Sequence, residues 1–144
     1  MRLIGTIYSP FTEKDQTPIQ VSRSQAIGQV EILPEFVDGL KDIEELSHIH
    51  LLYIFHKSSG YALHVKPFLD DREHGIFATR YPCRPNQIGI STVRLVSRQG
   101  NTLIIKGVDV LDGTPLLDIK PHVPDFDHRT EDVRVGWYET RSKK

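Results

Sequence analysis

Asp109, Asp112, Asp118 and Lys120 fall within twelve residues, between Gly107 and Pro121, in sequence that otherwise reads as strand and turn. Carboxylates spaced this closely suit a site that holds a cation or moves a proton. Asp112-Gly113 is also ordinary turn chemistry, so a structural reading of Asp112 stands beside the chemical one. A second stretch, Gly75 to Ser91, carries Arg80 and Arg84 four apart, followed by Pro85-Asn86. Pro82 and Pro85 stiffen it and lower the entropy lost in presenting Arg80, Arg84 and Asn86 to a ligand.

The charges are unevenly spread. Between Arg72 and Arg98 lie Arg72, Arg80, Arg84, Arg94 and Arg98, no lysine, and the single acid Glu73. Arginine without lysine favours bidentate binding of phosphate or carboxylate. From Glu35 to Glu45, by contrast, five acids face Lys41 alone. Over the whole chain 18 Lys and Arg nearly balance 19 Asp and Glu, and that net charge argues against a strongly basic nucleic-acid glove and an acidic tail protein.

His48 and His50 would lie on one face of a strand, with His56 further along, which gives a metal reading. Packing or hydrogen bonding within the strand is the alternative, because no third ligand has a recognisable spacing. Cys83 is the single cysteine, so neither an internal disulfide framework nor a cysteine-rich zinc site can form. No G-x-G pattern, Walker loop, G-x-S-x-G elbow or H-E-x-x-H occurs, which removes the dinucleotide-type Rossmann fingerprint and several hydrolase classes.

Strands must position these residues. Leu3–Tyr8 alternates up to Ser9-Pro10; Gln16–Ser24 is a polar loop; Ile27–Leu33 fits a half-buried strand. Phe36, Leu40, Ile43 and Leu46 follow helical spacing after Pro34, although Gly39 weakens that helix by about 1 kcal/mol relative to Ala. His48–His56 and Tyr61–Val65 read as strands. Ile88–Ser97 and Thr102–Val110 flank the hairpin turn Arg98–Asn101, and Leu116–Ile119 is a short strand before Pro121. One helix among about eight strands predicts an all-β, barrel-like fold with long functional loops. At 144 residues the chain is the size of a single domain, here expected over 1–144 with 125–144 as a C-terminal extension. No apolar run approaches a membrane span or a secretory signal, which points to a cytoplasmic protein.

Gly75–Ser91 and Asp109–Pro121 together resemble the paired signatures of the TrmO/YaeB family, S-adenosylmethionine-dependent tRNA adenine-N6 methyltransferases. Other marks of that family follow in order: Gly5–Pro10, Pro18–Gln20, Gly39-Leu40, Leu46–His48 and the strand to His56. The resemblance spans about residues 3–124. It implies a β-barrel unlike the Rossmann methyltransferases and a homodimer with the cofactor near the subunit interface. The implied substrate is N6-threonylcarbamoyladenosine beside the tRNA anticodon. Two departures stand out. Many bacterial members continue into a further C-terminal domain, whereas this chain ends soon after the barrel motifs, so tRNA is expected to be gripped by other surfaces. The family's Asp-Ile-Lys-Pro-Tyr is here Asp118 to His122, an imidazole in place of a phenol.

The resemblance also implies a site. Pro18, Ile19, Gln20, His56, Lys57, Arg80, Ile90 and the turn Asp109, Val110, Leu111, Asp112, Gly113, Thr114 should form the S-adenosylmethionine pocket. Arg80 would pair with the ligand's carboxylate. Asp109 or Asp118 is the expected catalytic base, and Lys120 would hold the threonine carboxylate of the modified base. Arg72, Arg84, Asn86, Arg94 and Arg98 are the expected tRNA contacts, and no metal is expected. Rival readings are an RNA-binding barrel without catalysis, a methyltransferase acting on another RNA or small substrate, and a metal-dependent hydrolase built on His48, His50 and His56.

Overall fold

The computed structural model describes residues 1–13, 25–68, 70–129 and 131–141. Its strands, in chain order, are β1 (Gly5–Tyr8), β2 (Ile27–Ile32), β3 (His48–Ile54), β4 (His64–Val65), β5 (His74–Gly75), β6 (Ile88–Gln99), β7 (Thr102–Lys106) and β8 (Thr114–Pro121). Six of them close an antiparallel barrel in the order β1-β2-β7-β6-β3-β8, and β4 pairs with β5 outside it. The all-β barrel expected from the alternation is therefore the fold. No helix among the described residues is long and apolar enough to cross a membrane.

Alternation selects what faces inward. Ile7, Val30, Ile49, Leu51, Val93, Leu103, Ile105 and Leu116 are each at most 1% exposed and form the barrel interior. Their strand neighbours point outward, the period-two pattern of a pleated wall. Closure gives each of the six barrel strands a partner on both sides over part of its length. Two prolines fit this closed wall because of where β8 changes partners. It pairs with β1 over 114–116 and with β3 over 116–121. Pro115 and Pro121 thus each lie where only one side of the strand is laddered, and neither leaves a broken bond.

Several expected elements differ in extent. The helix after Pro34 is two 3-10 turns, Pro34–Leu40 and Ile43–Glu45, separated by extended Lys41 and by Asp42 at φ 72°. The apolar spacing is real, since Leu40 and Ile43 are buried and Phe36 and Leu46 pack on the core. Those side chains plug one end of the barrel, and the backbone breaks between them to follow the rim. Asp tolerates the left-handed region better than most residues. β3 ends at Ile54 rather than His56, and the expected strand over Tyr61–Val65 is only β4. β7 stops at Lys106, because Gly107 at φ 92° leaves the extended region. The hairpin turn is Gly100-Asn101, with Gly100 at φ 64°.

Candidate active site

At the end of the barrel opposite the plug, β3, β6 and the segment after β7 bring three polar side chains together. Tyr53 and Ser91, on inward-facing positions of β3 and β6, share a hydrogen bond of 2.7 Å. Ser91 Oγ donates to Asp109 Oδ1 at 2.7 Å. Because the carboxylate can only accept, Ser91 must give its proton to Asp109 and receive that of Tyr53. The chain of donors therefore runs Tyr53, Ser91, Asp109. Tyr53 and Ser91 are 4% and 3% exposed, so the chain reaches into the core.

Burial sets the electrostatics here. Loss of solvent raises the pKa of Asp109, and the Ser91 hydrogen bond offsets only part of that. Tyr53 is pushed well above an ordinary phenol by burial and then by the charge of Asp109, while Arg80 acts in the opposite sense. Tyr53 therefore stays a proton donor, and the exposed Arg80 lies close enough for its charge to be felt there. His56, just past β3, is half-buried, and burial followed by the Lys57 charge lowers its pKa, favouring neutral imidazole. A buried polar chain ending in a carboxylate of shifted pKa has the marks of a reactive site.

The turn after Asp109 forms the rim. Gly107 and Gly113 sit at φ 92° and 81°. Thr114, 3% exposed, donates its hydroxyl to Leu111 O at 2.6 Å. Asp112 Oδ1 accepts the Ser9 amide at 3.0 Å, and the Asp112 amide donates to Phe11 O at 2.7 Å. The Asp112 side chain thus ties the rim to the end of β1. Asp112→Ala should cost about 1 kcal/mol through that lost hydrogen bond. A melting temperature lower by about 2–4 °C is the expected reading. An unchanged melt would show that the contact contributes nothing.

Asp118 lies elsewhere. β8 shifts register against β3 between Leu52 and Tyr53, so Leu116 pairs with Tyr53 and Asp118 with Leu52. Leu116 and Ile119 then face the interior, while Asp118 and Lys120 stand on the outer wall, joined by an ion pair of 3.3 Å. Ile90, also opposite Leu52, shares that outer face. Asp109 and Asp118 are thus on opposite sides of the barrel wall. A cleft of about 660 Å³ between the 3-10 turns and β8 includes Asp118, Phe36 and Ile119, but none of Tyr53, Ser91 or Asp109.

The arginines are dispersed. Arg84 donates to Thr79 O at 2.8 Å and Tyr81 O at 3.0 Å, bracing its own loop. Arg98 donates to Gly100 O at 2.9 Å and Leu40 O at 3.2 Å, fastening the hairpin to the plug. Arg72 lies 3.4 Å from Asp70. Arg94, opposite Lys106, is exposed on the outer wall, and Asn86 is exposed as well. Pro18, Ile19 and Gln20 lie outside the described residues. His56 stands six positions after His50, roughly 20 Å along an extended chain, so His48, His50 and His56 cannot share one ion. Sequence reading missed Tyr53 and Ser91 as site residues; the signal available was their place on one face of β3 and β6, legible only with the register known.

A family model described as the tRNA-methyltransferase O N-terminal domain matches residues 6–128. A probable S-adenosyl-L-methionine-binding protein of Pyrococcus abyssi is 58% identical over 144 residues, covering 99% of this chain and 78% of that protein. A tRNA (adenine(37)-N6)-methyltransferase of Mus musculus is 39% identical over 132 residues, 86% of this chain and 31% of that one. Among solved structures, TrmO from Pseudomonas aeruginosa superposes with a TM-score of 0.81 at 40% identity over 98% of this chain. The chain spans 63% of that TrmO, less than two thirds of its length.

Proposed function

The chain belongs to the tRNA-methyltransferase O family, whose cofactor is S-adenosyl-L-methionine, and on that premise we propose that it methylates an adenine N6 in tRNA. The substrate in this reading is N6-threonylcarbamoyladenosine next to the anticodon. The observation that carries the reading is Asp109: a carboxylate whose pKa is raised by burial, held by Ser91 at the end of a buried polar chain, inside the matched residues.

S-adenosylmethionine supplies, when bound, an electrophilic methyl group on a sulfonium. The residues at the barrel mouth suit such a ligand. Asp109 offers an anion to a cationic or hydroxyl-bearing group, Arg80 a partner for a carboxylate, and the Gly107–Thr114 rim backbone groups for a heterocycle. The attacking nitrogen belongs to a urea-like group and must lose a proton as its new bond forms. Asp109 takes that proton, and the raised pKa brings its basicity nearer to working pH. Ser91 and Tyr53 hold the carboxylate in one orientation, which alignment-dependent transfer requires. Asp118 and Lys120, paired with each other on the outer wall, lie across that wall from Asp109 and take no part in the proton transfer. Tyr61, Leu63, Phe68 and Phe77, each at least 60% exposed, offer apolar surface to the homodimer that the resemblance implies.

The reading is tested by incubating the full chain with methyl-labelled cofactor and tRNA, then identifying the labelled nucleoside by mass spectrometry. Label in N6-methylated threonylcarbamoyladenosine is expected. Label in another nucleoside would replace the substrate, and no label with tight tRNA binding would favour the binding-module reading. Arg94, exposed on the outer wall opposite Lys106, is in this proposal a phosphate contact. Arg94→Ala should lower tRNA affinity and flatten the log–log salt dependence by about 0.7–0.9. An unchanged slope would remove Arg94 from the RNA surface.

A further inference from the structure

We propose that the outer wall of the barrel carries a binding site for a divalent metal ion of the zinc class, formed by His50, His122 and Asp127. His50 stands on the outer face of β3. His122 directly follows β8, and its amide donates to His48 O at 3.3 Å, continuing the ladder. Asp127 closes the single helical turn Pro124–Asp127, and its Oδ2 accepts the Val123 amide at 2.8 Å. Three separate pieces of chain thus bring one donor atom each to a common point.

The distances fit coordination. His50 Nε2 lies 3.1 Å from Asp127 Oδ2 and 3.3 Å from His122 Nδ1, and His122 Nδ1 lies 3.4 Å from Asp127 Oδ2. In a tetrahedral complex with bonds of about 2.0–2.1 Å, ligand atoms sit about 1.63 bond lengths apart, or about 3.3–3.4 Å. The three donors therefore outline one face of such a tetrahedron, leaving the fourth corner for water. Two imidazole nitrogens this close repel through their lone pairs unless a proton or a cation lies between them. His50 is also oriented as a ligand would be. Its other nitrogen, Nδ1, is 2.7 Å from Thr92 Oγ1, the outer hydrogen bond that fixes a ligating ring. Lys120, the cross-strand neighbour of His50, is paired with Asp118, which moderates its repulsion of a cation.

Two imidazoles and one carboxylate select a borderline ion such as zinc over magnesium or calcium, which favour oxygen ligands. The bound ion would clamp the segment 122–127 onto β3. Of the three histidines singled out in sequence, one is a ligand, and its partners follow β8.

Equilibrium dialysis of the untagged, chelator-treated full chain against zinc, read by elemental analysis, should give one ion per chain. Cobalt(II) should give the visible absorption of a tetrahedral site. His122→Tyr should weaken zinc binding at least about 100-fold, more than a change in the outer shell. Thr92→Val should weaken it about 10-fold with the stoichiometry kept. Circular dichroism on each variant separates loss of a ligand from loss of fold, and His50→Ala provides an independent ligand deletion. A folded wild-type chain that takes up no zinc at micromolar free metal overturns the proposal. So does uptake that survives in folded His50→Ala and His122→Tyr.

Discussion

Asp109→Asn should slow methyl transfer at saturating tRNA and cofactor by at least about 100-fold, the usual scale of general-base catalysis. The same variant should be as stable as the parent, or more stable, at neutral pH. Both effects come from one cause. Burial raises the folded-state pKa of Asp109 above its unfolded value. The folded protein therefore binds more protons than the unfolded chain between those two values, and stability falls as pH rises through that window. Above that window the cost of the buried charge is fully present. The Asp109→Asn change removes the charge, yet the new amide carbonyl still accepts the Ser91 hydroxyl. The chain from Tyr53 through Ser91 to position 109 thus keeps its hydrogen bonds.

The wild-type rate should fall on acidification through the raised pKa of Asp109, and this acid limb should vanish in Asp109→Asn. A thermal melt at pH 7, paired with a pH–rate profile, checks both statements. Near-wild-type turnover in the variant would show that catalysis rests on alignment and that Asp109 is structural. A lower melting temperature would show that its charge is satisfied by contacts beyond Ser91.

Gly89→Ala should damage both the fold and the site. A Cβ at Gly89 would lie 2.5 Å from Tyr53 Cε2 and 2.6 Å from Phe55 Cζ. Neither ring can yield freely. Tyr53 is 4% exposed and bonded to Ser91, and the two rings meet edge to face with centroids 5.6 Å apart. Crowding a packed core this way costs about 1–3 kcal/mol, or about 2–12 °C of melting temperature for a chain this long. Any relief that moves Tyr53 also withdraws the donor from Ser91, so turnover should fall beyond what stability alone explains. Gly39→Ala is the control, because nothing lies within 4 Å of its added methyl. If Gly89→Ala melts and turns over like Gly39→Ala, the aromatic pair does not position the site.

The barrel itself was legible in the sequence. Alternation in β2, β3, β6 and β7 needs one buried face, and the Gly100-Asn101 turn joins β6 to β7 as its residue types require. The segment Gly107–Thr114 also stood out, because glycine and Asp-Gly turn chemistry are local properties. The single helix expected after Pro34 is broken for a physical reason. Phe36, Leu40, Ile43 and Leu46 keep helical spacing because they plug a round opening, and the rim, not the spacing, decides where the backbone bends.

The sequence by itself determined the strands, the turns and which acids lie near one another along the chain. Only the tertiary structure decided which of those acids share a face. Strict alternation along β8 would set Asp118 and Lys120 on the side of Leu116, inside the barrel. The register shift opposite Leu52 and Tyr53 adds one residue and reverses the facing of everything after it. Ile119 is thereby directed to the interior, and Asp118 and Lys120 into solvent. Burying that charged pair would cost several kcal/mol in lost solvation, so the bulge is the favourable arrangement. Asp109 becomes the one aspartate of the three that reaches the buried polar chain. Tyr53 and Ser91 complete that chain from 56 and 18 positions earlier in the sequence. No local pattern encodes such a pairing, because it depends on how β3 and β6 align across the closed wall.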